Sequence, residues 1–191
     1  MSASAEDLQR KLRRKKELSD IKLYRSQQRS YLMTARFNTD TKKQNEAYRM
    51  KKWPNGCIYC APDLVRLDIP LKSKLLVLEM DNDANRIFGV GMCANKALAN
   101  KYNVYENSNY NRYNYLGKHR IRREEFDAEE EAVFKALDQL CFYGHEHMKR
   151  GQGLKAFPLI LLINCMKVLD IVEFIDNMFD KRNNIQDSKN I

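Results

Sequence analysis

No stretch of this chain is long and apolar enough to cross a membrane as a helix. The longest apolar run, Phe157 to Ile163, falls far short of the roughly 20 residues a span needs. Asn164, Lys167, Asp170 and Glu173 follow it directly. The first residues, Met1 to Lys16, are polar and charged, so no secretory leader is expected. Cysteine is odd in number: Cys57, Cys60, Cys93, Cys141 and Cys165, at irregular spacing. That argues against a disulfide framework and for free thiols, hence an intracellular setting, cytoplasm or nucleus. Only His119, His145 and His147 supply imidazoles. None stands in an H-E-x-x-H pattern and no G-x-S-x-G exists, so no hydrolase signature is present. No internal repeat is visible. No cofactor is expected, and the balance favours a binding protein over an enzyme.

What is present in excess is positive charge. The 191 residues carry a net charge of +9 with 43% hydrophobic content, enough for one domain with extensions and one core. A pI near 9.3 favours acidic partners, nucleic acid or an anionic membrane surface. The charge is concentrated after a peculiar segment. Tyr102, Tyr105, Tyr110, Tyr113 and Tyr115 alternate with asparagines, then come Lys118, His119, Arg120, Arg122 and Arg123, with Glu106 the only acid between Tyr102 and Arg123. Flat rings stack on bases, Asn amides read base edges and guanidinium groups pair with phosphate. The expectation is a nucleic-acid surface: Tyr110, Tyr113 and Tyr115 stacking, and Arg112, Lys118, Arg120, Arg122 and Arg123 on phosphate. Lys149 and Arg150, in a glycine-containing loop, would assist. A half-buried Tyr-rich strand with an Arg-rich exit explains the same composition without a ligand.

Three parts are expected: a basic helical arm (1–29), one α+β domain (30–182) and a polar tail (183–191). The arm, from Ser4 to about Arg29, has Arg10, Lys11, Arg13, Arg14, Lys15 and Lys16 on a broken stripe of leucines. Ser30 to Phe37 reads as a first strand, and Thr39 to Lys52 can hold a short helix. Trp53-Pro54-Asn55-Gly56 is a turn signal before a short buried strand, Cys57 to Cys60. Lys74 to Met80 and Arg86 to Met92 are apolar runs across an Asx-rich linker, the pattern of a hairpin. Gly89 and Gly91, two apart, signal a bulge or a close backbone approach. Asp127 with Glu130 makes an N-terminal capping signal for a helix to Phe142, ended by Gly144. A last helix is expected over Cys165 to Arg182. Its Ile171, Phe174, Ile175, Met178 and Phe179 offer either core packing or a face for self-association or a protein partner.

Three short motifs suggest other chemistries. Cys57-Ile58-Tyr59-Cys60 is a C-x-x-C that reads as a redox dithiol, as half of a zinc site completed by Cys141 and His145, or as two small buried residues of a strand. Pro62 soon after Cys60 argues for the strand. Gly89-Val90-Gly91-Met92-Cys93-Ala94 matches a dinucleotide fingerprint, with a helix imaginable at Lys96 to Tyr102, but lacks a second strand ending in an acid. Asp81-x-Asp83-x-Asn85 starts like a calcium loop, yet Arg86 stands where the glycine is required.

The order of elements from Ser30 to Arg123 resembles the PUA-like superfold, in particular its EVE and ASCH branches. The residues behind it are Y-L-M-T-A, the polar helical insert, the W-x-x-G turn, the x-I-P connector and L-L-V-L-E-M…R-I-F-G-V-G. The resemblance implies a small, mostly antiparallel β-barrel or curved sheet that binds RNA or modified DNA bases, with Trp53 and Tyr59 as cleft aromatics. The strings N-Y-N-R-Y-N-Y-x-G-K-H-R-I and H-M-K-R-G-Q-G are similar to those of uncharacterised proteins from large DNA viruses. That likeness implies a virion- or capsid-associated structural protein, in which the arm and the last helix dock.

Overall fold

A computed structural model describes residues 3–145 and 147–188. The chain starts with α1 (Ala3–Gln27), then β1 (Ser30–Phe37) and α2 (Thr39–Lys52). Next come β2 (Cys57–Ala61), β3 (Lys74–Asp81), β4 (Arg86–Ala94) and β5 (Leu98–Ala99). A 3-10 turn (Ser108–Asn111) leads to β6 (Tyr113–Gly117) and β7 (His119–Arg122). After a second such turn (Arg123–Glu125) come α3 (Ala128–Phe142), β8 (Leu154–Ala156), α4 (Leu159–Cys165) and α5 (Ile171–Ser188). The molecule is α+β, as expected.

Local chemistry accounts for the element ends. Asn38 caps α2: its side chain accepts from the Thr41 N–H while the Thr41 hydroxyl accepts from the Asn38 N–H. Asp127 and Glu130 form the same reciprocal box at α3. Asp170 accepts from the N–H groups of Val172 and Glu173, which starts α5 afresh. The last helix, expected over Cys165 to Arg182, therefore starts only at Ile171, and Leu159–Cys165 forms a separate short helix. The expected polar tail also begins inside α5, which continues to Ser188; residues 189–191 lie outside the described ones.

Five strands form a mixed sheet in the order β7-β4-β3-β1-β8. β1 and β3 run parallel, Ser30 opposite Lys74 through Phe37 opposite Asp81; every other pairing in the sheet is antiparallel. The β3–β4 hairpin forms where the apolar runs predict it. Asn85 takes the left-handed turn position (φ 51°), which asparagine tolerates. Asp81 accepts from the N–H groups of Asp83 and Ala84, and Asp83 accepts from Thr39. These carboxylates tie the turn and α2 together, the work a calcium loop would have needed them for. The register slips between Glu79 and Met80, leaving Phe88 as the extra residue of a bulge.

The second sheet is antiparallel, β2-β6-β5. Lys118 alone separates β6 from β7, so one nearly continuous strand passes from the second sheet to the first. Gly117 makes the passage possible: a Cβ there would lie 1.9 Å from the Met92 carbonyl oxygen. Among the described residues neither sheet closes on itself, so the expected barrel is two open sheets packed together. The segment Lys96 to Tyr102 holds β5 and no helix, and Gly89 to Ala94 lies inside β4. The dinucleotide fingerprint is thereby excluded, since its glycines must open a helix.

The five-stranded sheet buries both faces. Alternation along β3 sends Leu76, Leu78 and Met80 towards α3, α4 and α5, and Leu75 and Val77 towards the second sheet. Ile171, Ile175, Met178 and Phe179 of α5 are all nearly inaccessible within the first of these cores. The apolar face considered for a partner is thus covered by the chain's own sheet.

Candidate nucleic-acid interface

The Tyr/Asn segment turns largely inward. Tyr115 and Tyr59 are 0% and 2% exposed and face each other across β2 and β6. The Tyr115 hydroxyl accepts from the Val65 N–H, and the Tyr59 hydroxyl donates to Glu79. Tyr105 is buried, its hydroxyl bonded to the Asn45 amide. The asparagines serve the backbone: Asn111 Oδ1 accepts from the N–H groups of Val104 and Tyr105, and Asn114 Oδ1 accepts from Tyr102 N–H. A loop without its own ladder must satisfy its N–H groups somewhere, and side-chain amides do it here. Tyr110 and Tyr113 remain half-buried. Burial therefore removes Tyr115 from the expected stacking set and Tyr59 from the expected cleft aromatics.

The basic run divides in the same way. The Arg120 side chain is 6% exposed and forms a bidentate pair with Glu79, 3% exposed, from β3. Burial by itself would lower the Arg120 pKa; the Glu79 carboxylate more than offsets this and holds it raised. Arg123, 1% exposed, turns to the opposite face. It binds Glu131 and Asp138 of α3 and the Ile87 carbonyl oxygen of β4. Arg120 and Arg123 are thus bridges between elements and are closed to phosphate. The glycines of β4 make room for the first bridge. A Cβ on Gly91 would sit 1.9 Å from the Tyr59 hydroxyl, and one on Gly89 would sit 2.7 Å from Glu79 Oε2.

The remaining cations face outward. Lys118 and Arg122 are exposed, and Arg122 pairs at the surface with Glu125. Arg112 is exposed on the other side of β6, beside Tyr113. Lys149 donates to Asn85 Oδ1 and so braces the β3–β4 hairpin, while Arg150 is exposed. Trp53 is half-buried, its indole N–H donating to the Gly117 carbonyl oxygen. It pins the turn before β2 to the passage between sheets.

Lys118 and Arg122 border an open groove of about 860 Å³. Edge strand β7 forms one wall, α2 another, and the Arg123–Glu125 turn with the later part of α5 a third. Six cations line it (Lys42, Arg49, Lys118, Arg120, Arg122 and Arg182) against Glu46, Glu124 and Glu125. Lys42, Arg120 and Arg182 have carboxylate partners in Asp81, Glu79 and Glu130. Lys118 has no carboxylate within ion-pair distance among the described residues. Phe88, thrust out by the bulge, also lines the groove. The contributions of Lys42, Arg49, Phe88 and Arg182 were missed from sequence. Lys42, Glu46 and Arg49 at i, i+4 and i+7 of a polar helix were the available signal.

The cysteines carry no reactive pair. Cys57 and Cys60 lie in buried β2, and burial pushes both thiols up to about 12. They stay protonated and are poor nucleophiles. Cys141 sits in the other core, against α3, and is likewise raised to about 12 by burial. His145 is exposed beyond the end of that helix. The sheet separates Cys141 from Cys57 and Cys60, so the imagined four-ligand zinc site does not assemble. A smaller cavity of about 160 Å³ lies between β1, β2 and the loop before β8, with Tyr59, Cys60, Tyr105 and Tyr110 among its walls.

No helix among the described residues is long and apolar enough to cross a membrane. Comparison with family models, curated proteins and solved structures found no match for this chain.

Proposed function

We propose that this chain is a non-enzymatic nucleic-acid-binding module whose ligand lies in the groove beside β7. The observation that carries the reading is the groove itself: cation-rich walls around the exposed Lys118 and Arg122, on a chain of net charge +9. Arg112 and Arg150 are further exposed cations, and the basic arm α1 adds more. The finer fold assignment belongs to the same proposal. The order β1-α2-β2-β3-β4 and the strand shared between two sheets support a PUA-like relationship, with the closed barrel opened.

Binding of the purified protein to labelled oligonucleotides across a salt series tests this. Losing one phosphate contact flattens the log–log slope by about 0.7–0.9. Lys118→Ala and Arg122→Ala are each expected to do so. A slope unchanged in the double variant takes the ligand out of this groove.

A second reading rests on α1. Leu8, Leu12, Leu18 and Leu23 are each more than half exposed along this basic helix. A structural or virion-associated role would cover them with a partner. Light scattering of the full chain distinguishes the two, since a monomer counts against assembly.

A further inference from the structure

The cavity beside β1 lies at the free edge of that strand, past its last pairing with β8, Ala35 opposite Leu154. Beyond a paired edge, side chains from both faces of a strand can reach one space. Phe37, Tyr59, Tyr105 and Tyr110 give the cavity ring walls, and Arg36 and Asn82 line it too. Gly151, Gln152 and Gly153 complete the wall, with Gly151 and Gly153 at positive φ (104° and 65°) and Gly151 and Gln152 exposed.

Among the described residues three buried side-chain atoms lack a hydrogen-bond partner: Arg36 Nη1, Asn82 Oδ1 and His147 Nδ1. Two of the three belong to residues of this cavity. Both side chains are tied down by another nitrogen. Arg36 Nε donates to the Met148 carbonyl oxygen, and Asn82 Nδ2 donates to that of Lys149. Neither unpartnered atom can swing out to water without breaking such a bond. Unlike Arg120 and Arg123, Arg36 has no carboxylate within ion-pair distance among the described residues. Burial lowers its pKa, as it does for a cation without a counter-charge. A guanidinium stays charged all the same, and a buried charge without a partner is costly.

We propose that this cavity binds a small carboxylate, one ring in size, that also carries a hydroxyl or amino donor. The carboxylate meets Arg36, the donor meets Asn82 Oδ1, and the ring lies among the aromatic walls. At about 160 Å³ the space takes a single six-membered ring. The site shares no residue with the groove beside β7 and goes beyond the nucleic-acid reading.

The test is an amide-detected NMR titration of the full chain with benzoate, benzamide and the ortho, meta and para hydroxybenzoates. Benzoate is expected to shift the Gly151 and Gly153 amide signals and the Arg36 Nε–H. Benzamide has the same ring without the charge, and is expected to bind at least about ten-fold more weakly, having lost a charge-assisted hydrogen bond. One hydroxybenzoate is expected to bind more tightly than benzoate, and Asn82→Ala to remove that advantage while benzoate still binds. Arg36→Met is expected to abolish benzoate binding in a chain that still melts cooperatively. Should that variant fail to fold, benzoate against benzamide on the unaltered protein decides the matter. Equal binding of the two overturns the proposal. Shifts confined to Lys118 and Arg122 also overturn it, since they place the acid in the groove. The absence of any shift at millimolar benzoate overturns it too and leaves the cavity to water. A hydroxyl that helps at none of the ring positions overturns the part assigned to Asn82.

Discussion

The two faces of the five-stranded sheet each bury one arginine, and they do so under different conditions. On the helix-covered face, Arg123 meets Glu131, 28% exposed, and Asp138, 12% exposed. Most of the rest of that face is aliphatic and aromatic, Leu76, Leu78, Phe134, Phe157, Ile175 and Phe179, with Ser30, Thr34 and Arg36 of β1 as hydrogen-bonded exceptions. On the face covered by the second sheet, Arg120 meets a single carboxylate, Glu79, that is 3% exposed. There the packing is threaded with hydrogen-bonded tyrosines and asparagines. Helices satisfy their own backbone, so they can cover a sheet with apolar side chains alone. Irregular chain cannot, and the 102–115 segment brings its own amides and hydroxyls for the purpose. A composition that resembles a nucleic-acid surface is in large part the polar half of a core.

If that contrast is right, Arg120→Met should be the most damaging substitution. It strands Glu79 in the interior and should cost about 3–5 kcal/mol, measured by the denaturant midpoint. Replacing Arg120 and Glu79 together with apolar residues should recover most of the loss, because the stranded charge goes too. Arg123→Met should cost less, about 1–3 kcal/mol, because Glu131 reaches solvent and Asp138 keeps the Ile87 N–H. An equal or larger cost for Arg123→Met would mean that the faces do not differ as described.

Gly91→Ala probes the polar face without touching a charge. Its Cβ would lie 1.9 Å from the Tyr59 hydroxyl, and overpacking of this kind costs about 1–3 kcal/mol. Tyr59→Phe in the same chain should return part of that, a coupling readable from a double-mutant cycle. Additive losses would locate the strain elsewhere.

Acid should weaken the helix face through Glu131. Its hydrogen bond from Arg123, together with the charge of Arg123, holds its pKa below the ordinary 4.5, against the effect of burial. Its contribution is therefore complete above the unfolded-state value and is lost as pH falls through the lower folded-state one. Melting temperature against pH should fall below about 4.5, and less steeply in Glu131→Gln. Lys118→Ala should be the mildest change, within about 0.5 kcal/mol of neutral in stability, because the side chain is exposed and unpaired among the described residues. A larger loss would give Lys118 a structural role and weaken its assignment to the groove.

Much of the fold was legible because its signals are local. The β1 strand, the β3–β4 hairpin and the α3 helix with its Asp127 cap follow from runs and spacings within a dozen residues. The close approach expected at Gly89 and Gly91 is real, with Tyr59, Glu79 and Arg120 as the groups accommodated. The break before α5 was missed although Asp170 and Glu173 stand as a capping pair, because the apolar period runs straight through it. The groove was legible only in Lys118, Arg120 and Arg122. Its other walls come from α2, the Phe88 bulge and α5, far apart along the chain.

Composition and pattern by themselves determined β1, α2, the β3–β4 hairpin, α3 and the positive charge. Each depends on neighbours along the chain. Tertiary structure decided which tyrosines and arginines face water. Arg120 and Arg122 are the same residue type two positions apart, on one face of β7, and both border the groove. Only the arrival of Glu79, 41 residues away in sequence, makes one of them an interior ion pair, while the other stays exposed beside Glu125.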